Sequence, residues 1–68
     1  MSRFLKKWLS DRGTTALQVA RTAGIEEPEQ IWRVLSGEKD RPETVQQFSN
    51  TLRRVYGMTE QELKEAIA

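Results

Sequence analysis

Thr15-Ala16-Leu17-Gln18-Val19-Ala20-Arg21-Thr22-Ala23-Gly24-Ile25 runs through Glu26-Glu27-Pro28-Glu29-Gln30 into Ile31-Trp32-Arg33-Val34-Leu35-Ser36-Gly37, and this stretch decides the fold. Ala16, Val19, Ala20 and Ala23 recur at helical spacing, so they form the inward side of one helix over about 15–23. Thr14 or Thr15 stands where a hydroxyl can cap its first turn. Gly24 ends it, because a left-handed residue closes a helix and glycine takes that conformation without a Cβ clash. A second helix over about 28–36 starts at Pro28, whose missing N–H would be unpaired in a first turn anyway. Glu26, Glu27 and Glu29 complement the positive end of its dipole. Ile31, Val34 and Leu35 form its apolar stripe, and Gly37 closes it. The small alanines on the first helix let the second approach closely.

The flanking sequence is helical too. Phe4, Leu5, Trp8 and Leu9 fall on one stripe of a helix over about 2–11, with Trp8 in the core and Lys6 and Lys7 pointing away. Glu38-Lys39-Asp40-Arg41 is a polar loop. Beyond it Val45, Phe48, Leu52 and Val55 are spaced 3, 4 and 3 apart, with Tyr56 beside them, which predicts a helix over about 42–56. Phe48 is expected to be buried against Phe4, Trp8 or Val19 and Leu52. Gly57 ends that helix, and Thr59-Glu60-Gln61-Glu62 is a capping box opening a short fifth helix with Leu63, Ala66 and Ile67. No run alternates with period two long enough to demand a strand. The expectation is an all-α, compact five-helix domain spanning residues 1–68 without a linker or repeat.

Composition narrows what such a domain can do. A chain of 68 residues buries only about 60% of its unfolded surface, so its core must be efficient. It has neither Cys nor His. The usual zinc, haem and iron–sulfur ligand sets are therefore missing, and so are Ser-His-Asp and Cys-His catalysis. The acidic residues lack the spacing of a calcium loop, and the glycines are too far apart for a phosphate loop. No cofactor, no metal, no enzyme activity and no small-molecule substrate are expected. No apolar run approaches the roughly 20 residues of a membrane span. Met1-Ser2-Arg3-Phe4 has no signal-peptide character, so the expected location is cytoplasmic and away from membranes.

Net charge is +1, from 11 basic and 10 acidic residues. Its distribution is uneven. Residues 1–25 set Arg3, Lys6, Lys7, Arg12 and Arg21 against Asp11 alone, whereas residues 26–43 hold six acidic side chains against three basic ones. These charges either form a dipolar surface or simply solvate helix faces. Two helices joined by a tight glycine-containing turn, within a five-helix domain, suggest helix-turn-helix DNA binding. The order of Val19-Ala20, Ala23-Gly24-Ile25, Ile31 to Val34, Gly37 and Tyr56-Gly57-Met58-Thr59 resembles the lambda-repressor and Cro-like (XRE-type) helix-turn-helix family across nearly the whole chain. The resemblance implies a repressor-like helix-turn-helix over about 15–36, with the helix at about 28–36 in the DNA major groove. Gly24 and Gly37 are 13 positions apart, one more than the family usually has. Glu26-Glu27-Pro28-Glu29 also occupies the tip where the family usually places Ser, Gln, Arg or Thr.

On this basis the expected function is sequence-specific, double-stranded DNA binding in transcription regulation. Gln30 can pair with adenine, and Arg33 with guanine or a phosphate. Arg33 can alternatively pair with Glu29, four residues before it. Glu27 or Glu29 can accept from cytosine N4, or can serve only the helix dipole. Ser36, Lys39 and Arg41 after the helix, and Arg21, Lys6, Lys7 and Arg12 before it, are candidate DNA contacts. Trp32 lies between the buried stripe and Arg33, so it is either an interface residue or a lid on the core edge. A homodimer on two half-sites is the expected assembly, with Met58, Leu63 and Ile67 as its candidate surface or as self-buried core. The alternative is a protein-interaction adaptor with a repressor-like fold that has lost DNA binding, for which the acidic tip and Trp32 speak.

Overall fold

Phe48 and Leu52, one helical turn apart, are fully shielded from solvent, as are Leu5, Leu9, Val19 and Ile31. The helices that carry them meet around that point. The computed structural model describes residues 3–67: α1 (Arg3–Asp11), α2 (Ala16–Thr22), a single 3-10 turn (Pro28–Gln30), α3 (Ile31–Leu35), α4 (Pro42–Arg54) and α5 (Glu60–Ile67). The described residues contain no strand, so the chain is all-α. Residue 2, where the sequence places the start of the first helix, lies outside the described residues. α2 packs on α4 and on the 3-10 turn and α3, while α5 closes the bundle against α1 and α4. The radius of gyration is 10.6 Å, against about 10.9 Å for a compact chain of this length.

α4 carries the largest fully buried side chain, Phe48, and shows where the periodic pattern stops. Val55 has the spacing of a core residue but is 61% exposed. The helix ends at Arg54, and Val55 is already its C-cap. Gly57 then turns the chain at φ +74°, and the Met58 N–H donates to the Leu52 carbonyl at 3.0 Å. Met58, only 4% exposed, takes the core position that the 3–4–3 spacing assigns to Val55. Ser49, absent from the expected stripe, is buried beside Phe48 in sequence.

The α1–α5 seam is built on Trp8. Its ring is buried, and its indole Nε1 donates to Glu62 Oε2 at 2.9 Å. The Arg12 guanidinium stacks 3.4 Å from the ring centroid and donates to the Trp8 carbonyl at 3.0 Å. Glu62 also closes the capping box: the Thr59 N–H donates to its Oε1 at 2.9 Å, and its own N–H donates to Thr59 Oγ1 at 3.1 Å. The Thr59 N–H first, then the Trp8 indole and the nearby Arg12 charge, hold the Glu62 carboxyl below the ordinary glutamate value. One carboxylate thus caps α5 and ties it to α1. Leu63 and Ile67 are half-buried against the same core that takes Met58.

Candidate nucleic-acid interface

α2 begins at Thr15, whose Oγ1 accepts from the Gln18 N–H at 3.2 Å, as an N-cap does. It ends in a left-handed closure. Gly24 has φ +73°, its N–H donates to Arg21, and the Ile25 N–H reaches back to Ala20 at 3.1 Å. These are the paired bonds of a Schellman motif, and the buried Ile25 supplies its usual apolar contact. A residue with a Cβ at position 24 would carry strain of roughly 1–2 kcal/mol. The closure fixes the direction in which the chain leaves α2 towards α3.

The turn then uses a second left-handed residue. Glu27 has φ +54° and is the only described non-glycine residue with a positive φ. It precedes Pro28, which itself crowds the helical regions of its neighbour. The Gln30 N–H then donates to the Glu27 carbonyl at 2.9 Å, and the Ile31 N–H to Pro28. The expected helix over about 28–36 is therefore a 3-10 turn followed by a five-residue α-helix, with Ser36 as its C-cap.

Ile31 and Val34 are buried, so the opposite side of this segment faces outward. Glu29, Arg33 and Ser36 lie exposed on that side, with Gln30 and Trp32 half-buried at its two edges. Arg33 Nη1 lies 3.5 Å from Gln30 Oε1, and Ser36 Oγ donates to the Arg33 carbonyl at 3.1 Å. The expected Arg33–Glu29 pair is not formed; Arg33 turns to Gln30 instead. Lys39 and Arg41 are half-buried in the loop after α3, and the Lys39 N–H donates to the Arg33 carbonyl at 3.1 Å. Arg21 is exposed at the end of α2, on the far side of the turn.

Two contacts were not legible in the sequence. Arg41 Nη1 lies 3.9 Å from Glu27 Oε1, so an acid of the tip partly neutralises a cation of the loop. Both groups are substantially exposed, and such a pair contributes about 1 kcal/mol or less. On the other side, the Lys6 ammonium of α1 sits 5.5 Å from the Trp32 ring centroid. That is within cation–π range and brings Lys6 beside the α3 face. Lys7, by contrast, pairs with Asp11 at 3.3 Å, and Arg12 is held by Trp8. Lys6 and Arg33 thus share one depression with Ser36 and Glu38, whereas Arg41 stands with Glu26, Asp40 and Glu43 beside Gly24.

No group of three or more acidic residues converges to hold a metal among the described residues, and none of their helices is long and apolar enough to cross a membrane. No protein-family model, curated protein or solved structure matches the chain.

Proposed function

We propose that the chain is a repressor-like helix-turn-helix module that binds double-stranded DNA and regulates transcription. The observation that carries this is the outward face of the 3-10 turn and α3, where Gln30, Arg33 and Ser36 stand together on a segment locked to α2 by the Schellman closure. Amide and guanidinium groups are the side chains that pair bidentately with adenine and guanine in a major groove. Lys39, Arg41 and Lys6 flank this face and supply the phosphate contacts from which most affinity comes. Arg21, exposed in the last turn of α2, adds to the backbone contacts. One module makes few contacts, so a homodimer on two half-sites completes the reading.

A salt titration on random and selected duplexes tests it. Lys39→Ala and Arg41→Ala should weaken binding to all sequences alike, each lowering the salt slope by about one unit. Arg33→Ala should change which sequence is preferred. No binding to any duplex near roughly 50 mM salt would sink the reading.

The second reading, a protein-interaction adaptor without DNA binding, is favoured by a different place. Glu26, Asp40 and Glu43 line a groove of about 540 Å³ at Gly24, with Arg41 their one cation there. Together with Glu27 and Glu29 it makes the tip acidic, which suits a basic protein surface and opposes phosphate. Under this reading, changing Glu27 and Glu29 to Gln weakens and slows association with a basic protein and leaves DNA unbound.

A further inference from the structure

Trp32 stands between two depressions that share it and Lys6. The inner one, about 350 Å³, lies between α1 and the start of α2. Leu9 and Ala16, each only 1% exposed, lie at its base, and Ser10, Thr14, Thr15 and Trp32 line it with Lys6. Thr14 Oγ1 is buried and has no hydrogen-bond partner within the protein. The outer depression, about 310 Å³, continues past Trp32 to Arg33, Ser36 and Glu38. Such volumes are at the lower end of what binding clefts offer, so each takes about one large side chain. Lys6 and Arg33 stand on the rim against the single acid Glu38. Arg3, three residues before Lys6 on the exposed side of α1, adds to that cationic surface.

From this arrangement we infer that the α1–α3 seam is a docking groove for a short acidic peptide segment bearing a bulky apolar anchor. The anchor fills the inner depression against the half-buried Trp32 ring. The peptide's carboxylates meet Lys6 and Arg33 at the rim. A half-buried tryptophan beside a shaped apolar slot is the usual form of an interface anchor. The half-buried Trp32 ring selects a peptide over nucleic acid: a phosphate backbone satisfies the rim but leaves the depression beside the ring empty. Charge complementarity selects an acidic segment over a basic one. The seam is separate from the acidic groove at Gly24, and the proposal does not depend on DNA being bound. Where DNA is bound through Arg33, the peptide competes with it.

The probe is a pool of labelled twelve-residue peptides, each with Phe, Leu, Ile or Trp anchors four residues apart among Asp and Glu. Binding is read by anisotropy and by the two indole N–H signals of the intact protein. The Trp32 signal should move on titration, while that of Trp8, held by Glu62, should stay. Lys6→Glu lies on the surface of α1 and should weaken binding roughly tenfold, about the effect of reversing one rim charge, with the melting curve lowered only by the lost Lys6–Trp32 contact. Trp32→Ala should weaken it by about thirtyfold or more, as loss of an interface anchor does. Three results would overturn the inference: no pool member moves the Trp32 signal; Lys-rich or anchor-free peptides bind equally well; or Lys6→Glu leaves affinity unchanged. Movement of the Trp32 signal by random duplex DNA but by no peptide would also overturn it, assigning the seam to nucleic acid. DNA affinity measured separately keeps this outcome distinct from failure of the DNA-binding proposal.

Discussion

Phe48 and Val55 lie on one apolar stripe by spacing alone, yet the fold places them in opposite environments. Phe48 is fully buried in the shared core, and Val55 is 61% exposed. Truncating each to alanine separates the two positions. Phe48→Ala removes most of a buried aromatic ring and leaves a cavity that a small, tightly packed bundle cannot fully close. The cost is about 3–5 kcal/mol. A domain of this length has a total stability of roughly 3–10 kcal/mol. The variant should therefore lose a large part of its folded population, with a melting point lowered by some 12 °C or more at about 4 °C per kcal/mol. Val55→Ala removes a side chain that is mostly in water already, and should stay within about 0.5 kcal/mol.

Thermal and urea unfolding of both variants, followed by far-ultraviolet circular dichroism, provides the comparison. A loss below about 1 kcal/mol for Phe48→Ala would mean that the core is not centred on α4. A loss above about 1.5 kcal/mol for Val55→Ala would mean that Val55 is covered in solution. Repeating the melt at several protein concentrations then shows whether a second copy covers it, because association makes the midpoint concentration-dependent.

Gly24→Ala should destabilise by about 1–2 kcal/mol through the left-handed closure of α2, although nothing lies within 4 Å of where its Cβ would sit. Equal stability in urea unfolding would show that this turn is not held left-handed. Glu27→Gly relieves comparable strain, set against a more flexible unfolded chain and the lost Arg41 pair, so it should be neutral or stabilising by up to about 1 kcal/mol. A clear loss on melting would mean that Glu27 makes a stronger contact than the 3.9 Å pair. For Glu62, the folded form holds the carboxyl below its ordinary value near 4.5, so its contribution is complete above that pH and fades as pH falls through the lower folded value. Glu62→Gln should flatten the acid limb of stability against pH, and an unchanged limb would remove Glu62 from the account of acid unfolding.

Much of the fold was written in local signals. The Thr15 cap, the Gly24 closure, Pro28 in the first turn and the Thr59–Glu62 box each act within a few residues, and each bounds an element that the structure contains. The buried stripe Ile31 and Val34 and the pair Phe48 and Leu52 were equally legible, because burial follows helical period. Val55 was not, because a stripe continues in sequence past the point where its helix stops. The Trp8–Glu62 bond joins residues 54 positions apart, and no local pattern encodes such a pairing. Lys6 over Trp32 and Arg41 beside Glu27 were hidden for the same reason: sequence shows that a cation is present but not which aromatic or acid it meets.

That difference bears on the candidate interface more than on the core. A core residue is chosen by how apolar it is, and neighbours along the helix reveal it. An interface cation counts only if it is free to meet a partner, and freedom depends on contacts between elements. Five cations in residues 1–25 look like a broad basic surface, yet Asp11 takes Lys7 and Trp8 takes Arg12. In the acidic middle, Glu27 engages Arg41, while Arg33 keeps only a long contact to Gln30. Lys6 and Arg33 stand on either side of Trp32, and Arg3, Arg21 and Lys39 also form no ion pair among the described residues. Cations this dispersed, and interleaved with acids, have little long-range reach at physiological salt, where the screening length is about 8 Å. Whatever binds here must be held at short range, by groove contacts and by the ring, and so the choice of partner rests on the shape of the α1–α3 seam as much as on its charge.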